Sequence, residues 1–494
     1  MNFENEVEFI YNTRSRDGHI DTAFYERLAT ALVNDIERER NVEESEEIDE
    51  IELFPADDDD CDVDYVPNED DASDIENEVI IEPNDLVDSD EEFTESETQN
   101  LCTSTSEECF YGKDGTKWEK NEPNTGVRIR QHNVMRFRSG PKERNSVPIE
   151  VFKKFFTRDI AFIIITETNR YGKDSIQKWN ASNPGRKKKV WKDVTESELD
   201  AFIGILLAAG VSHNNTQKSE VLWRTDGLPI FRAAMSHKRF LLLTRYIRFD
   251  DGRTRPFRLQ SDKAAPIRDI WNYMNENLAK NYSPYENITI DEQLFPYRGK
   301  TKFTQYIPSK PAKYGIKIWW ACDSKTKYPL QGKLFTGWQE GNERETNQGE
   351  NVMLQLAKSY SNSGRTIIAD NFFTTLEGAK RLTKIGLAFV GTIRSNKRCI
   401  PEEMRKHPSR PVLSSRFGFN DNLVSICSYV PKKNKCVNLL STVHYTKYCE
   451  GEAKKPEAIL FYNKNNGGVD CMDQMVTHFT SKRATKRWIF AFFL

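Results

Sequence analysis

Asp291, Asp370 and Asp470 carry the chemistry this sequence offers. Asp291 interrupts the alternating run Asn287-Ile-Thr-Ile-Asp-Glu-Gln-Leu-Phe295, an apolar strand pattern in which an ionisable group needs a reason. Asp370 closes the short apolar run Thr366-Ile-Ile-Ala-Asp370, and Asp470 follows Gly467-Gly468 and opens an amphipathic helical stretch. Carboxylates are hard oxygen ligands for divalent cations. Two such ions about 4 Å apart can activate a nucleophile, stabilise a leaving oxygen and shield a phosphodiester. Asp291 would bridge both ions, Asp370 would hold one and Asp470 the other, with Mg²⁺ as the ion and Mn²⁺ able to substitute. Asp473 lies three residues after Asp470, on the same helical face, and is a further candidate metal position as an outer ligand, or a residue that binds a partner at the helix end. Each has a plainer reading. An Asp at a strand end often serves a turn or cap, and Asp470 could simply favour a helix N-terminus. Glu292, facing away from Asp291 across the pleat, and Asp323, beside a turn, are rival ligands.

Basic segments flank these aspartates. Arg298, Lys310, Lys313 and Lys317 follow the first, and Arg394, Lys397 and Arg398 lie beyond the second. All seven are candidate DNA contacts. Lys482-Arg483 and Lys486-Arg487 follow the third aspartate, and Tyr297, Tyr306 and Tyr314 interleave with the first group. Lysine and arginine neutralise phosphates, and aromatic rings stack on unpaired bases.

The whole-chain formal charge of −4 hides an asymmetry. Residues 41–100 hold 27 Asp and Glu and no Lys or Arg, residues 1–40 add a further −4, and residues 101–494 therefore carry +27. A basic body of that size exceeds what solubility needs and points to nucleic acid.

The elements that must position the aspartates are legible from pattern. Residues 1–115 read as an acidic, largely disordered arm, with a helix around Thr22–Arg38. Residues 116–286 read as a helical region. Helices are expected at Val147–Phe156, Glu196–Ala209 (capped by Thr195) and Ala265–Ala279, with Trp191, Trp223 and Phe231 as core between them. From Asn287 strands take over: 287–295, 316–323, 328–336, a helix at 350–360, a strand at 366–369, a helix at 376–385 and a strand at 387–393. A β-rich piece at 397–457 follows, with an antiparallel pair at 423–429 and 437–442. Residues 458–494 end the chain, helical from Val469. This order is that of an α/β, RNase H-like catalytic domain in two parts, 287–396 and 458–494, with an inserted β-rich domain. In that fold a mid-strand carboxylate, a strand-end carboxylate and one on a later helix can meet.

Nine scattered cysteines without a CxxC pair argue for a reducing compartment. Cys427, Cys436, His444 and Cys449 match no common zinc spacing. The N-terminus lacks a signal-peptide pattern, and the apolar run Ala201–Ala209 is too short to span a bilayer, so no membrane role is expected. Arg186-Lys-Lys-Lys189 is a candidate nuclear import cluster.

The stretches Ile288-Thr-Ile-Asp-Glu-Gln-Leu294, Tyr306-Ile-Pro-Ser-Lys-Pro-Ala-Lys-Tyr-Gly-Ile-Lys317, Asp370-Asn-Phe-Phe-Thr-Thr375, Gly391-Thr-Ile-Arg-Ser-Asn-Lys397 and Tyr462-Asn-Lys-Asn-Asn-Gly-Gly-Val-Asp470 resemble the signature of piggyBac transposases. The resemblance runs from about Trp118 to Leu494. It implies an aspartate triad at Asp291, Asp370 and Asp470 with Asp473 accompanying. It implies a nuclear enzyme, a metal-dependent DNA transposase whose partners are double-stranded transposon ends and a TTAA target. Water nicks the element ends, the freed 3′-hydroxyl attacks the opposite strand to give a hairpin, the hairpin reopens, and the ends join the target. The 116–286 region resembles part of the family's dimerisation and DNA-binding domain.

Family members continue past the position of Leu494 through further helices, and many then add a Cys-rich zinc module. The expectation is a truncated chain whose last helix, Arg487-Trp-Ile-Phe-Ala-Phe-Phe-Leu494, exposes an apolar patch, and a homodimer once the C-terminus is completed. The competing readings are a transposon-derived DNA- or chromatin-binding protein without productive transposition, and a plain RNase H-like nuclease.

Overall fold

The computed structural model describes residues 108–123, 138–144, 147–299, 301–308, 310–337, 346–421 and 423–494. The expected helix at Thr22–Arg38 and nearly all of the acidic arm lie outside these residues. Regular structure is already present at Cys109–Tyr111, a little before the expected start near Lys117.

The helical region is built from α1 (Pro148–Phe155), α2 (Arg158–Ser182), α3 (Glu196–Val211), α4 (His237–Tyr246) and α5 (Ala265–Asn281). α3 begins as its sequence dictates: the Thr195 hydroxyl accepts from the Glu198 N–H, and Leu199, Phe202, Ile203 and Leu206 are buried. α2 was not expected. Its stripe Ile160, Ile164, Thr168, Gly172, Ile176 is masked by a polar residue, a glycine and the exposed Phe162. Gly172 is required there, because a β-carbon would come within 2.4 Å of the Trp191 indole.

The sheet contains β1 (Cys109–Tyr111), β2 (Lys117–Glu119), β3 (Asn287–Pro296), β4 (Thr304–Tyr306), β5 (Tyr314–Asp323), β6 (Pro329–Leu334), β7 (Thr366–Ala369), β8 (Ala388–Ile393), β9 (Ser415–Asn420), β10 (Val424–Lys432) and β11 (Lys435–Ser441). Its order is β1-β2-β9-β10-β11-β8-β7-β3-β5-β4, with β6 also on β5. Around the aspartates the order is β6-β5-β3-β7-β8. The pairs β6/β5 and β5/β3 are antiparallel, and β3/β7 and β7/β8 are parallel. The expected antiparallel pair is β10/β11, and β11 joins β8, so strands of the 397–457 segment extend the same sheet.

Both faces of the central sheet are covered, which is why β5 reads as an almost unbroken apolar run. Ile316, Ile318 and Trp320 pack toward the helical region. Trp319 and Ala321, with Ile288 and Ile290 of β3, pack under α6 (Gln348–Ala357) and α7 (Leu376–Lys384). After the β-rich segment come α8 (Glu457–Asn465), α9 (Gly468–His478) and α10 (Trp488–Phe493).

The exposed apolar patch expected at the chain's end is not there. Trp488, Ile489, Phe490 and Ala491 are at most 5% exposed. Phe490 stacks on Phe202 of α3, and Phe492 meets Trp271 of α5 and Phe295 of β3. The stretch from Val469 is also not one helix. It breaks between His478 and Trp488, and that break turns α10 back into the core.

Candidate active site

β3 carries polar side chains at every second position, Thr289, Asp291 and Gln293, so all three lie on one face. That face meets the end of α8 and the start of α9. The Thr289 hydroxyl donates to the Asn465 carbonyl at 2.8 Å, and Gln293 Nε2 donates to Asp473 Oδ1 at 2.6 Å. Gln293 is itself fixed, since its Oε1 accepts from Trp320 Nε1 at 2.8 Å. Gly468 lets α9 approach: a β-carbon there would sit 2.5 Å from Thr289 Oγ1. Asp470 lies between these two anchor points, exposed, in the first turn of α9.

Asp370 arrives from the neighbouring strand. The parallel register pairs Ile290 with Ala369, so Asp291 and Asp370 follow side by side. Asp370 Oδ1 accepts from Phe372 N at 2.9 Å, and its carbonyl accepts from Thr374 Oγ1 at 2.6 Å. The turn continues to Thr375, which caps α7 and donates to the buried Glu350 carboxylate at 2.7 Å.

Carboxylate oxygens of Asp291, Glu292 and Asp370 all lie within 4.8 Å of one another. Glu292 therefore joins Asp291, although the pleat directs the two to opposite faces. Pairing of β3 with β7 stops at Ile290, and beyond it the strand edge is open for a long side chain to round. Burial, then the charges of Glu292 and Asp370, push the Asp291 carboxyl well above the ordinary carboxylate range, against the lowering effect of Lys310. Asp470 lies outside this trio but acts on the same ammonium. Burial disfavours the charge of Lys310, yet Glu292, Asp291 and Asp470 together hold its pKa above the usual lysine value. The other rival, Asp323, is a turn residue. Its buried carboxylate accepts from the backbone N–H groups of Tyr285 (2.6 Å), Lys325 (2.8 Å) and Thr326 (3.0 Å).

The basic residues divide. Arg298, Lys313 and Arg398 are exposed, and Lys397 is partly so. Arg394 Nε donates to Asn371 Oδ1 at 3.1 Å, beside Asp370. Lys310 Nζ is 3.6 Å from Glu292 Oε1. Lys317 is only 6% exposed, with its ammonium 4.8 Å from the Phe372 ring centre. Tyr297 is buried and donates to the Lys486 carbonyl, whereas Tyr306 and Tyr314 pair at 4.7 Å with Tyr314 exposed. Tyr462 opens one of the stretches that carry the resemblance, but no role at the site was expected of it. Its phenol bonds to the Thr392 and Asn466 side chains, and burial, then the charge of Asp370, push it up to about 12. Thr289 and Gln293 were missed as well, though polar residues alternating along an apolar strand were the signal.

The donor set is oxygen-only, anionic and crowded enough to raise the Asp291 pKa, which suits a hard divalent cation.

A model of the family described as Transposase IS4 matches residues 147–494. The human PiggyBac transposable element-derived protein 2 is 25% identical over 382 residues, 71% of this chain and 60% of the relative. The human PiggyBac transposable element-derived protein 3 is 24% identical over 370 residues, 69% of this chain and 58% of the relative. The chain thus spans about 60% of the length of these curated relatives. A solved piggyBac transposase synaptic complex with hairpin DNA matches with a TM-score of 0.65 and 36% identity, over 72% of this chain and 74% of that one. Motifs, fold and these matches agree: the chain belongs to the piggyBac-type transposase family.

Proposed function

We propose that this chain carries the catalytic site of a DNA transposase, cutting DNA strands at transposon ends and joining them to a TTAA target by metal-dependent phosphoryl transfer. The observation that carries the reading is the convergence of Asp291, Glu292 and Asp370 within 4.8 Å, with α9 anchored to the same face of β3. The order β6-β5-β3-β7-β8, antiparallel then parallel, supports an RNase H-like catalytic unit made of 287–396 and 458–494. The likeness to a transposase solved with hairpin DNA supports double-stranded DNA as the partner. We also infer a nuclear location. The exposed residues Arg186–Lys188 support import. No helix among the described residues is long and apolar enough to cross a membrane.

Asp291, Asp370 and Asp470 would hold two Mg²⁺ ions, or Mn²⁺ in their place, with Asp473 and Glu292 supporting. When bound, the ions supply activation of the attacking hydroxyl and charge stabilisation at the phosphate. The chain's own residues set the geometry. Gln293 holds Asp473, Thr289 and Gly468 seat α9, and the Phe372 N–H orients Asp370. Arg298, Lys313, Arg394, Lys397 and Arg398 provide positive charge for the DNA backbone. Each chemical step exchanges one phosphorus–oxygen bond for another, so a single constellation can serve nicking, hairpin formation, hairpin opening and joining.

The test is strand nicking of DNA by the purified chain with Mg²⁺ or Mn²⁺. Asp291→Asn should abolish it. Equal nicking by the substituted protein would sink the assignment.

A further inference from the structure

We propose that Lys310 is a built-in counter-cation of the carboxylate site, competing with divalent ions for Glu292 and Asp291 and keeping their affinity low in the DNA-free protein. This rests on the metal-centre reading above. Lys310 is not an ordinary surface partner. Its Nζ donates to the Glu292 backbone carbonyl at 3.2 Å as well as standing 3.6 Å from Glu292 Oε1. The Lys310 and Glu292 side chains are only 24% and 14% exposed. The loop presenting it is closed by Ile307 N to Lys313 O at 2.8 Å and Lys310 N to Ile307 O at 3.2 Å, and Pro311 restricts the Lys310 backbone.

One positive charge therefore stands against the Glu292 end of a trio whose carboxylate oxygens lie within 4.8 Å of one another. An ammonium is a compact point charge with three donors on a flexible stem. It offsets the repulsion between the carboxylates, and it can leave. An incoming divalent ion must displace it or sit beside a like charge, and either route weakens binding.

The test is Mn²⁺ binding to the full chain, followed by electron paramagnetic resonance of the free ion, without DNA. Lys310→Met and Lys310→Gln should bind Mn²⁺ about tenfold more tightly than the unaltered protein, and Lys310→Arg should stay within about twofold of it. Neutral variants that bind no more tightly overturn the proposal while leaving the metal centre intact. A chain that binds no Mn²⁺ in any form, with or without DNA, overturns the metal-centre reading and this proposal with it. Should the neutral variants not fold, the unaltered protein decides. Its structure with Mn²⁺ bound should show Nζ withdrawn from Glu292, and an ammonium that keeps its 3.6 Å approach to the Glu292 carboxylate refutes the competition.

Discussion

Gly468 and Thr289 touch so closely that a β-carbon on the glycine would lie 2.5 Å from the threonine hydroxyl. The same hydroxyl donates to the Asn465 carbonyl, so one side chain on β3 fixes both the end of α8 and the start of α9. Two residues further along β3 stands Asp291, and two residues further along α9 stands Asp470. The contact therefore sets the separation between two aspartates from opposite ends of the candidate site's sequence.

Gly468→Ala should displace α9. Overpacking of this kind costs about 1–3 kcal/mol. The loss of DNA nicking should be larger than the loss of stability, because Asp470 moves with the helix. Gly467→Ala is the control: a β-carbon there meets only Cys471 Sγ at 3.8 Å. Thermal melting and nicking of both variants check this. Equal behaviour of the two would remove the contact from the argument.

Asp291→Asn should make the ion-free protein more stable at neutral pH while abolishing nicking. Burial, then Glu292 and Asp370, raise the folded pKa of Asp291. The folded state thus binds this proton more tightly than the unfolded chain. The corresponding stability is fully present at low pH, below the unfolded carboxylate pKa, and is lost as pH rises through the raised value. Asparagine resembles the protonated form and escapes that loss. Melting temperatures in chelator across a pH series should show the variant's advantage shrinking as pH falls. An advantage independent of pH would contradict the assigned cause.

Glu350 supports the Asp370 turn from behind. Its side chain is 7% exposed, accepts from Thr375 Oγ1 at 2.7 Å and pairs with Arg381 at 3.0 Å. Glu350→Ala leaves the Thr375 hydroxyl and the Arg381 guanidinium without their partner and should cost about 1–3 kcal/mol. Glu350→Gln keeps an acceptor for Thr375 and should cost less. Urea denaturation midpoints rank the two, and an alanine variant as stable as the glutamine variant would count against the supporting role.

Much of this arrangement was readable in the sequence, because strands and carboxylates leave local marks. β7 was read to the residue, and β3 and β5 within two residues, from apolar runs. Asp291 stood out as a charge inside one of them. What escaped depended on long-range packing. α2 escaped because Gly172 takes its place from Trp191, outside the helix. The position of Glu292 depends on where β7 stops pairing with β3, which the pleat of one strand does not reveal. The contiguity of β11 with β8 is likewise a pairing over 40 residues of sequence, and the burial of α10 needs the cleft between α3, α5 and β3.

Arg487 shows how that last helix is held. Its guanidinium donates to the carbonyls of Thr244 (2.9 Å), Arg245 (3.1 Å) and Ile247 (2.6 Å), at the C-terminal end of α4. These carbonyls carry the negative end of the helix dipole, and a planar, multiply donating cation suits them better than an ammonium. The bond set also positions Trp488, the next residue, against Phe303 at 5.2 Å. Arg487→Ala should cost about 1–3 kcal/mol and release an apolar helix from the core. Arg487→Lys should recover only part of that loss, since one ammonium does not reproduce the spread of the guanidinium donors over three carbonyls. Thermal melting with a dye that reports exposed apolar surface checks both effects. A lysine variant that melts like the unaltered protein would show that charge alone, not the geometry of the fork, ties α10 to α4.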